Sequence, residues 1–222
     1  MIRIKALILF AILTLFGATS AMAQIDPQVT EIMRKCEEVM SNPNGVEMTL
    51  TTEASMVIKL TGMTATVAMK NGKSKATVLM KVLGREVRTE EGFDGTQEWS
   101  YRHIDLKEKD KEVRDTLTIR KTAKKSGSDY DIDFSMEQDY KTATVKVNGP
   151  YYELTFMNPF NKDDPKKVVV KIDKDKYYFH EMKTRQNGVS MTMTVTEIKF
   201  GVSDDIFKFD PENYPNAVIV RE

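Results

Sequence analysis

Hydrophobic and polar residues alternate without a break along Val46–Leu60. Met48, Leu50, Met56 and Ile58 share one parity, and the other parity holds mainly Glu, Thr, Ser and Lys. Because the side chains of a strand point alternately to its two faces, this pattern predicts one long, half-buried β-strand. A long strand with one wet face is typical of a curved antiparallel sheet or barrel.

The segment before this strand has the spacing of a helix. Asp26-Pro27 provides a capping side chain followed by a residue suited to the first helical position. The apolar residues that follow recur at helical spacing and form one stripe, so we expect the helix to cover an apolar part of the sheet. The candidate covering residues are Val29, Ile32, Met33 and Cys36.

Further alternating segments follow, separated by turn signals. Asn71-Gly72 and Asn187-Gly188 are strong hairpin signals, and Thr61-Gly62 is predicted to be another turn. Asp115–Lys121 is compatible with a strand or a helix, and Ala217–Val220 with a short terminal strand. The sequence therefore predicts a mainly β protein with few helices, an incomplete antiparallel β-barrel of about ten or eleven strands.

The N-terminal residues resemble a signal peptide. Arg3 and Lys5 precede the apolar run Ala6–Phe16, and Ala21-Met22-Ala23 has the small-x-small pattern of a cleavage site. We therefore expect cleavage of residues 1–23 before Gln24 and export to the periplasm. The rest of the chain, 24–222, is predicted to be a single domain.

Charge and cysteine content narrow the function classes. The chain has 33 basic and 33 acidic residues, and removal of the signal peptide leaves a slight acidic excess. Because nucleic-acid binding needs a basic surface, we expect no nucleic-acid partner. Cys36 is the only cysteine, so no internal disulfide forms, and its position on the helix stripe indicates a buried small hydrophobe.

No motif for catalysis or metal binding stands out. His103 and His180 lack metal-binding spacing, and we assign each a structural or surface role. Asp129, Asp131 and Asp133 begin like a calcium loop, but the Gly and Glu that such a loop needs are absent, which favours a solvated loop. We therefore predict no enzyme, no metal and no cofactor. Carboxylates are abundant, so an exported hydrolase stays open as a minor alternative.

The apolar parity is rich in methionine, whose flexible side chain adapts to irregular shapes. Such a surface suits either an ordinary core or the wall of a cavity for acyl chains, which need apolar contact without directional bonds. The candidate cavity residues are Met48, Leu50, Met56, Ile58, Val67, Met69, Val78, Met80, Trp99, Met191 and Met193.

Two stretches carry a resemblance to a known family. Phe93–Tyr101, with the sequence FDGTQEWSY, is similar to a characteristic turn and strand of the outer-membrane lipoprotein carrier protein (LolA-like) family. Val168–Pro211 resembles the last hairpins of that family, including the closing Ile206–Pro211. The order of signal peptide, amphipathic helix and incomplete barrel is similar as well.

The resemblance implies a monomeric, non-enzymatic periplasmic carrier. Such proteins receive lipoproteins from an inner-membrane release complex, shield the acyl chains in a cavity and pass them to an outer-membrane acceptor. It also implies a mid-chain helical or loop lid, which would fall in Leu117–Tyr140. The alternative is a periplasmic lipid-binding or envelope-sensing module on the same fold.

Overall fold

The helix α1 (Pro27–Met40) follows one short strand and precedes the other strands of a large sheet in this computed structural model, which describes residues 24–55, 59–82, 85–104, 115–122 and 134–222. The side chain of Asp26 accepts a hydrogen bond from the Gln28 backbone N–H at 2.9 Å and so caps the helix as predicted. One face of the helix is buried, including all four candidate covering residues. Within the described ranges, no helix combines the length and the apolar composition needed to cross a membrane.

Thirteen strands form one sheet in the described part of the chain. They are β1 (Gln24–Ile25), β2 (Val46–Ser55), β3 (Lys59–Lys70), β4 (Lys73–Val82), β5 (Arg85–Phe93), β6 (Gln97–Ile104), β7 (Thr116–Lys121), β8 (Tyr140–Asn148), β9 (Tyr151–Pro159), β10 (Lys167–Asp173), β11 (Phe179–Gln186), β12 (Val189–Phe200) and β13 (Val218–Arg221). Their order in the sheet is β1-β8-β9-β10-β11-β12-β2-β3-β4-β5-β6-β7-β13.

The sheet is curled but open. Its end strands β1 and β13 run parallel to their neighbours β8 and β7, whereas all other described pairs are antiparallel. The two short end strands bring the count above the ten or eleven expected. An open antiparallel sheet with one leading helix is the architecture that the LolA-like resemblance implied, and this expectation is confirmed.

Val46–Leu60 is not one strand, and this prediction was wrong. The strand β2 ends at Ser55, which pairs with Lys59 at the start of β3. Ala54 pairs with Leu60, so the two residues share a face although they lie on different strands. Because they are an even number of residues apart, the alternation in the sequence continues from β2 into β3 without a visible break. The predicted turn at Thr61-Gly62 was also wrong, because both residues lie within β3.

The two Asn-Gly turns are confirmed. Asn71 and Gly72 have φ angles of 48° and 77°, and Asn187 and Gly188 have φ angles of 51° and 81°. A two-residue hairpin loop with positive φ at both positions matches the twist of its strands, and Asn-Gly adopts it at little cost.

The predicted lid at Leu117–Tyr140 is only partly described. Its first residues form β7, so Leu117–Lys121 is a strand of the sheet and not part of a lid. Residues 123–133, which include the three aspartates of the calcium-like pattern, lie outside the described residues, as does the signal peptide. Met136–Gln138 forms a short 3₁₀ helix that leads into β8.

Candidate functional site

The inner face of the sheet, which we define as the face covered by α1, is closed by packing near the helix. Several side chains of β2, β3 and β4 belong to one buried cluster with the apolar face of α1 and are 0–4% exposed. We call four of these residues the sealed layer: Met48, Leu50, Val67 and Val78. They were predicted as cavity wall, and the structure places them in the same buried core as the apolar face of α1.

A row of methionines crosses the inner face next to this layer. Met182 pairs with Met193, Met193 with Thr52, Thr52 with Met63, and Met63 with Met80. Directly paired residues share a face, so these side chains form one continuous row over five strands. The four methionines are only partly buried, although each packs against the core. We call these four residues the methionine band.

The band lies one step further along β2 than Leu50 of the sealed layer. Thr52 follows Leu50 by two residues on β2, which corresponds to about 7 Å along a strand. Register shifts between Thr52 and Ala54 and between Val195 and Glu197 flank the band on β2 and β12. Such bulges bend and twist strands, which helps the sheet to curl at this level.

Met191 lies one row beyond the band. It pairs with Ala54 on β2 and with Thr184 on β11, and its side chain is 41% exposed. Exposure of the inner face therefore rises from the sealed layer, through the band, to Met191. This end of the inner face is apolar and accessible.

A cavity of about 210 Å³ opens beside the band. Its lining includes Met136 of the 3₁₀ segment, Tyr140 at the start of β8, Val168 of β10, and Met182 and Thr184 of β11. Apolar side chains from several elements therefore border a space large enough for part of an aliphatic chain.

Polar groups also line this cavity: Asp139 and Asp164 contribute to it, beside Tyr140 and Thr184. The Tyr140 hydroxyl donates to the Pro165 carbonyl at 3.1 Å, and burial raises the pKa of Tyr140 to about 12, so the ring stays neutral. Thr184 Oγ1 is buried and has no hydrogen-bond partner in the described part of the chain. A bound molecule with a polar group at this depth would satisfy it.

The predicted site residues thus fall into separate places. Met69, Met80 and Met193 lie partly buried on the inner face, and Met191 lies at its accessible end. Val29, Ile32, Met33 and Cys36 are buried in the same cluster as the sealed layer, and burial raises the pKa of the Cys36 thiol to about 12, so it is an inert apolar contact. Met56 and Ile58 lie outside the described residues.

The structure does not bring Trp99 together with the other predicted residues. Val87 pairs with Met80 and therefore lies on the inner face. Gly92 is an odd number of residues further along β5, so Gly92 and its partner Trp99 lie on the outer face of the sheet. There it packs with Leu117 and Ile119 of β7. The C-terminal segment covers this outer cluster, and the rings of Trp99 and Phe209 are 5.3 Å apart.

Two close contacts determine the shape of the outer cluster. The Trp99 indole lies flat against Gly92, where a Cβ atom would come within 2.0 Å of Trp99 Cζ2. Glu90, which is 2% exposed, is hydrogen bonded by the Tyr214 hydroxyl and forms ion pairs with Lys75 at 3.3 Å and Arg88 at 3.2 Å. Burial alone would raise the pKa of Glu90, but these partners outweigh it, so the pKa lies below its ordinary value.

The two histidines make different local contacts. His103 Nδ1 lies 2.6 Å from Asp115, which also accepts a hydrogen bond from the Tyr101 hydroxyl at 2.8 Å. The His180 ring stacks on Tyr151 with centroids 4.4 Å apart. Among the described residues, no group of three or more His, Cys, Asp and Glu side chains is arranged to hold a metal ion.

Met63, Met182 and Thr184 were not among the predicted site residues. Met63 shares the parity of Ala65 and Val67, so the sequence carried a signal for it. Met182 carried none, because the register shift beside Ile172 puts Phe179 and Met182 on one face although they are three residues apart. Only the pairing of β10 with β11 reveals it.

No protein-family model and no curated protein matches the sequence. Among solved structures, an uncharacterized conserved protein from Thermus thermophilus superposes with a TM-score of 0.55 and 14% identity, over 88% of this chain and 99% of that chain. A LolA superfamily protein from Nitrosomonas europaea superposes with a TM-score of 0.38 and 9% identity, over 82% and 98% of the two chains. At these identities the likeness to the Thermus protein concerns the fold, so function is argued from the site.

Proposed function

We propose that this protein is a non-enzymatic periplasmic carrier that shields the acyl chains of lipoproteins and delivers them toward the outer membrane. The observation that carries the proposal is the methionine band, a partly exposed apolar row beside a sealed layer. A core that served stability alone would bury this row, since each methylene removed from water contributes about 0.8 kcal/mol.

The chemistry of the band suits a molecule that must be captured and later released. Methionine side chains are unbranched and polarizable, so they adapt to acyl chains without fixed complementarity. The sealed layer limits how deep a chain reaches, and the cavity beside Met136 offers space for it. The periplasmic location rests on the predicted signal peptide, and the release complex and acceptor rest on the family resemblance.

Binding of an acylated peptide tests the proposal. Purified protein without its signal peptide is titrated with a dipalmitoylated lipopeptide, and the same peptide without acyl chains serves as the ligand control. Met193→Asp places a carboxylate in the band and is expected to weaken binding about tenfold or more, because a charge in an apolar site is costly to desolvate. Thr192→Asp, one residue away on the outer face, is the matched variant and should bind normally.

The outcomes separate the candidate functions. Binding of the lipopeptide that depends on the acyl chains and on Met193 supports the carrier. Binding of free phospholipid but not of lipopeptide would instead favour a lipid-binding or envelope-sensing module. No binding of either ligand by a folded protein would overturn the proposal.

A further inference from the structure

The methionines of the inner face differ sharply in their access to solvent. Met33 and Met40 of α1 and Met48 of β2 are 0–3% exposed. The methionine band is partly buried, and Met191 is 41% exposed. The sulfur atoms that a ligand would contact are therefore also those that a small oxidant in solution reaches first.

We propose that the methionine band and Met191 form a reversible oxidation site that controls ligand capture, an inference that rests on the proposed function. The oxidant is hydrogen peroxide or a related peroxide. A sulfur lone pair attacks one peroxide oxygen, the O–O bond breaks, the S–O bond forms and water leaves. The thioether sulfur loses two electrons and the peroxide gains them, so no further reactant is needed. The product, methionine sulfoxide, is reduced back by methionine sulfoxide reductases.

Oxidation makes the band more polar, whereas capture of an acyl chain depends on its apolar surface. A sulfoxide is polar and less flexible, so it forfeits apolar contact with an acyl chain. Because Met63 faces Met80 and Met182 faces Met193 across strand pairs, one sulfoxide also alters the surroundings of its neighbour. The sealed layer is out of reach of the oxidant, which leaves the fold intact.

The chain contains an internal control for exposure. Met157 is 42% exposed, nearly the same as Met191, but it neighbours the inward Phe156 on β9 and so lies on the outer face. Both methionines are expected to oxidise at similar rates. Of these two, only Met191 should affect binding when it is oxidised.

The first experiment follows oxidation and binding together. The folded protein is treated with increasing hydrogen peroxide, and peptide mass spectrometry ranks the methionines while a dansyl-labelled fatty acid reports affinity. We expect Met191 and Met157 to react first, the band next, and Met33, Met40 and Met48 only after unfolding. Affinity should fall about tenfold, which corresponds to the lost contact of roughly two methylene groups. Methionine sulfoxide reductases A and B with a reductant should restore it.

Two variants assign the effect. With Met63, Met69, Met80, Met136, Met182, Met191 and Met193 all changed to Leu, affinity should no longer respond to peroxide. Met157→Leu should respond like the unaltered protein. Far-UV circular dichroism confirms that each oxidised sample is folded.

The results distinguish this inference from the function on which it rests. Unchanged affinity after sulfoxide formation at Met191 and the band would overturn the oxidation proposal and leave the carrier standing. Equal loss of affinity in the Leu variant would also overturn it. Failure of the untreated protein to bind the fatty acid or the lipopeptide would overturn the carrier itself, and the control of capture with it.

Discussion

The two apolar clusters of this protein lie on opposite faces of one sheet and are built differently. The inner cluster is aliphatic and methionine-rich, and its exposure increases from the sealed layer, through the methionine band, to Met191. The outer cluster is aromatic, centred on Trp99, and covered by Phe209, Tyr214 and Ala217 of the C-terminal segment. One cluster is left open at one end, whereas the other is closed by the chain itself.

Adaptable side chains are concentrated on the inner face of this sheet. Aromatic rings pack with defined geometry, and the outer cluster adds a buried, fully partnered carboxylate at Glu90. Methionines impose no such geometry. We therefore expect changes in the outer cluster to alter stability alone, and changes at the open end of the inner face to alter binding.

Trp99→Ala tests this separation with the largest expected effect. Removing a buried tryptophan costs about 3–5 kcal/mol of unfolding free energy. Urea unfolding followed by circular dichroism measures it, because Trp99 is the only tryptophan and its fluorescence disappears with it. Trp99→Phe provides a milder change. A loss of lipopeptide affinity in folded Trp99→Phe would contradict the separation of the two faces.

Met48→Ala and Met191→Ala compare how much the sealed layer and the accessible end of the inner face contribute to stability. Met48 is fully buried, so its truncation should cost about 2–5 kcal/mol. Met191→Ala, at a largely exposed position, should cost roughly 0.5 kcal/mol or less. Denaturant midpoints at constant slope give both values. Similar costs for the two variants would mean that the inner face has no gradient of packing.

Gly92→Ala tests the contact under the Trp99 ring. A Cβ atom within 2.0 Å of the indole forces the ring or the strand to move, which costs about 1–3 kcal/mol. Trp99 fluorescence should shift as well, since the ring loses its buried position. Gly62→Ala is the control, because the nearest atom to its Cβ would be 4.0 Å away. An unperturbed Gly92→Ala protein would refute the packing described for the outer cluster.

Tyr214→Phe and pH test the carboxylate of the outer cluster. Loss of the hydroxyl that donates to Glu90 should cost about 1–3 kcal/mol at neutral pH.

Because the folded-state pKa of Glu90 is lowered, its stabilising contribution is present above the unfolded pKa of about 4.3 and is lost as pH falls through the folded value. Unfolding measured between neutral and acidic pH should show this loss. Glu90→Gln should reduce it, and the exposed Glu212→Gln should not. Identical acid profiles for Glu90→Gln and the unaltered protein would exclude this role.

The sequence placed the residues of the helix stripe correctly but placed Trp99 on the wrong face of the sheet. The helix stripe at Val29, Ile32, Met33 and Cys36 was predicted and is buried, because helical periodicity is a local property. Trp99 was grouped with Met48 because both are apolar strand residues. Alternation separates the two faces within one strand, but it does not say which face of one strand matches which face of another. That relation follows from the register of β4, β5 and β6.

By itself, the sequence determined the mainly β class, the leading helix and the Asn-Gly turns, all of which depend on the conformational preferences of neighbouring residues. Only the tertiary structure decided that Val46–Leu60 divides between two strands, that Met182 joins Met193, Met63 and Met80 in one row, and that Trp99 faces the other way. These features arise from pairing between distant segments, and bulges such as the one beside Ile172 shift the parity on which sequence patterns rely.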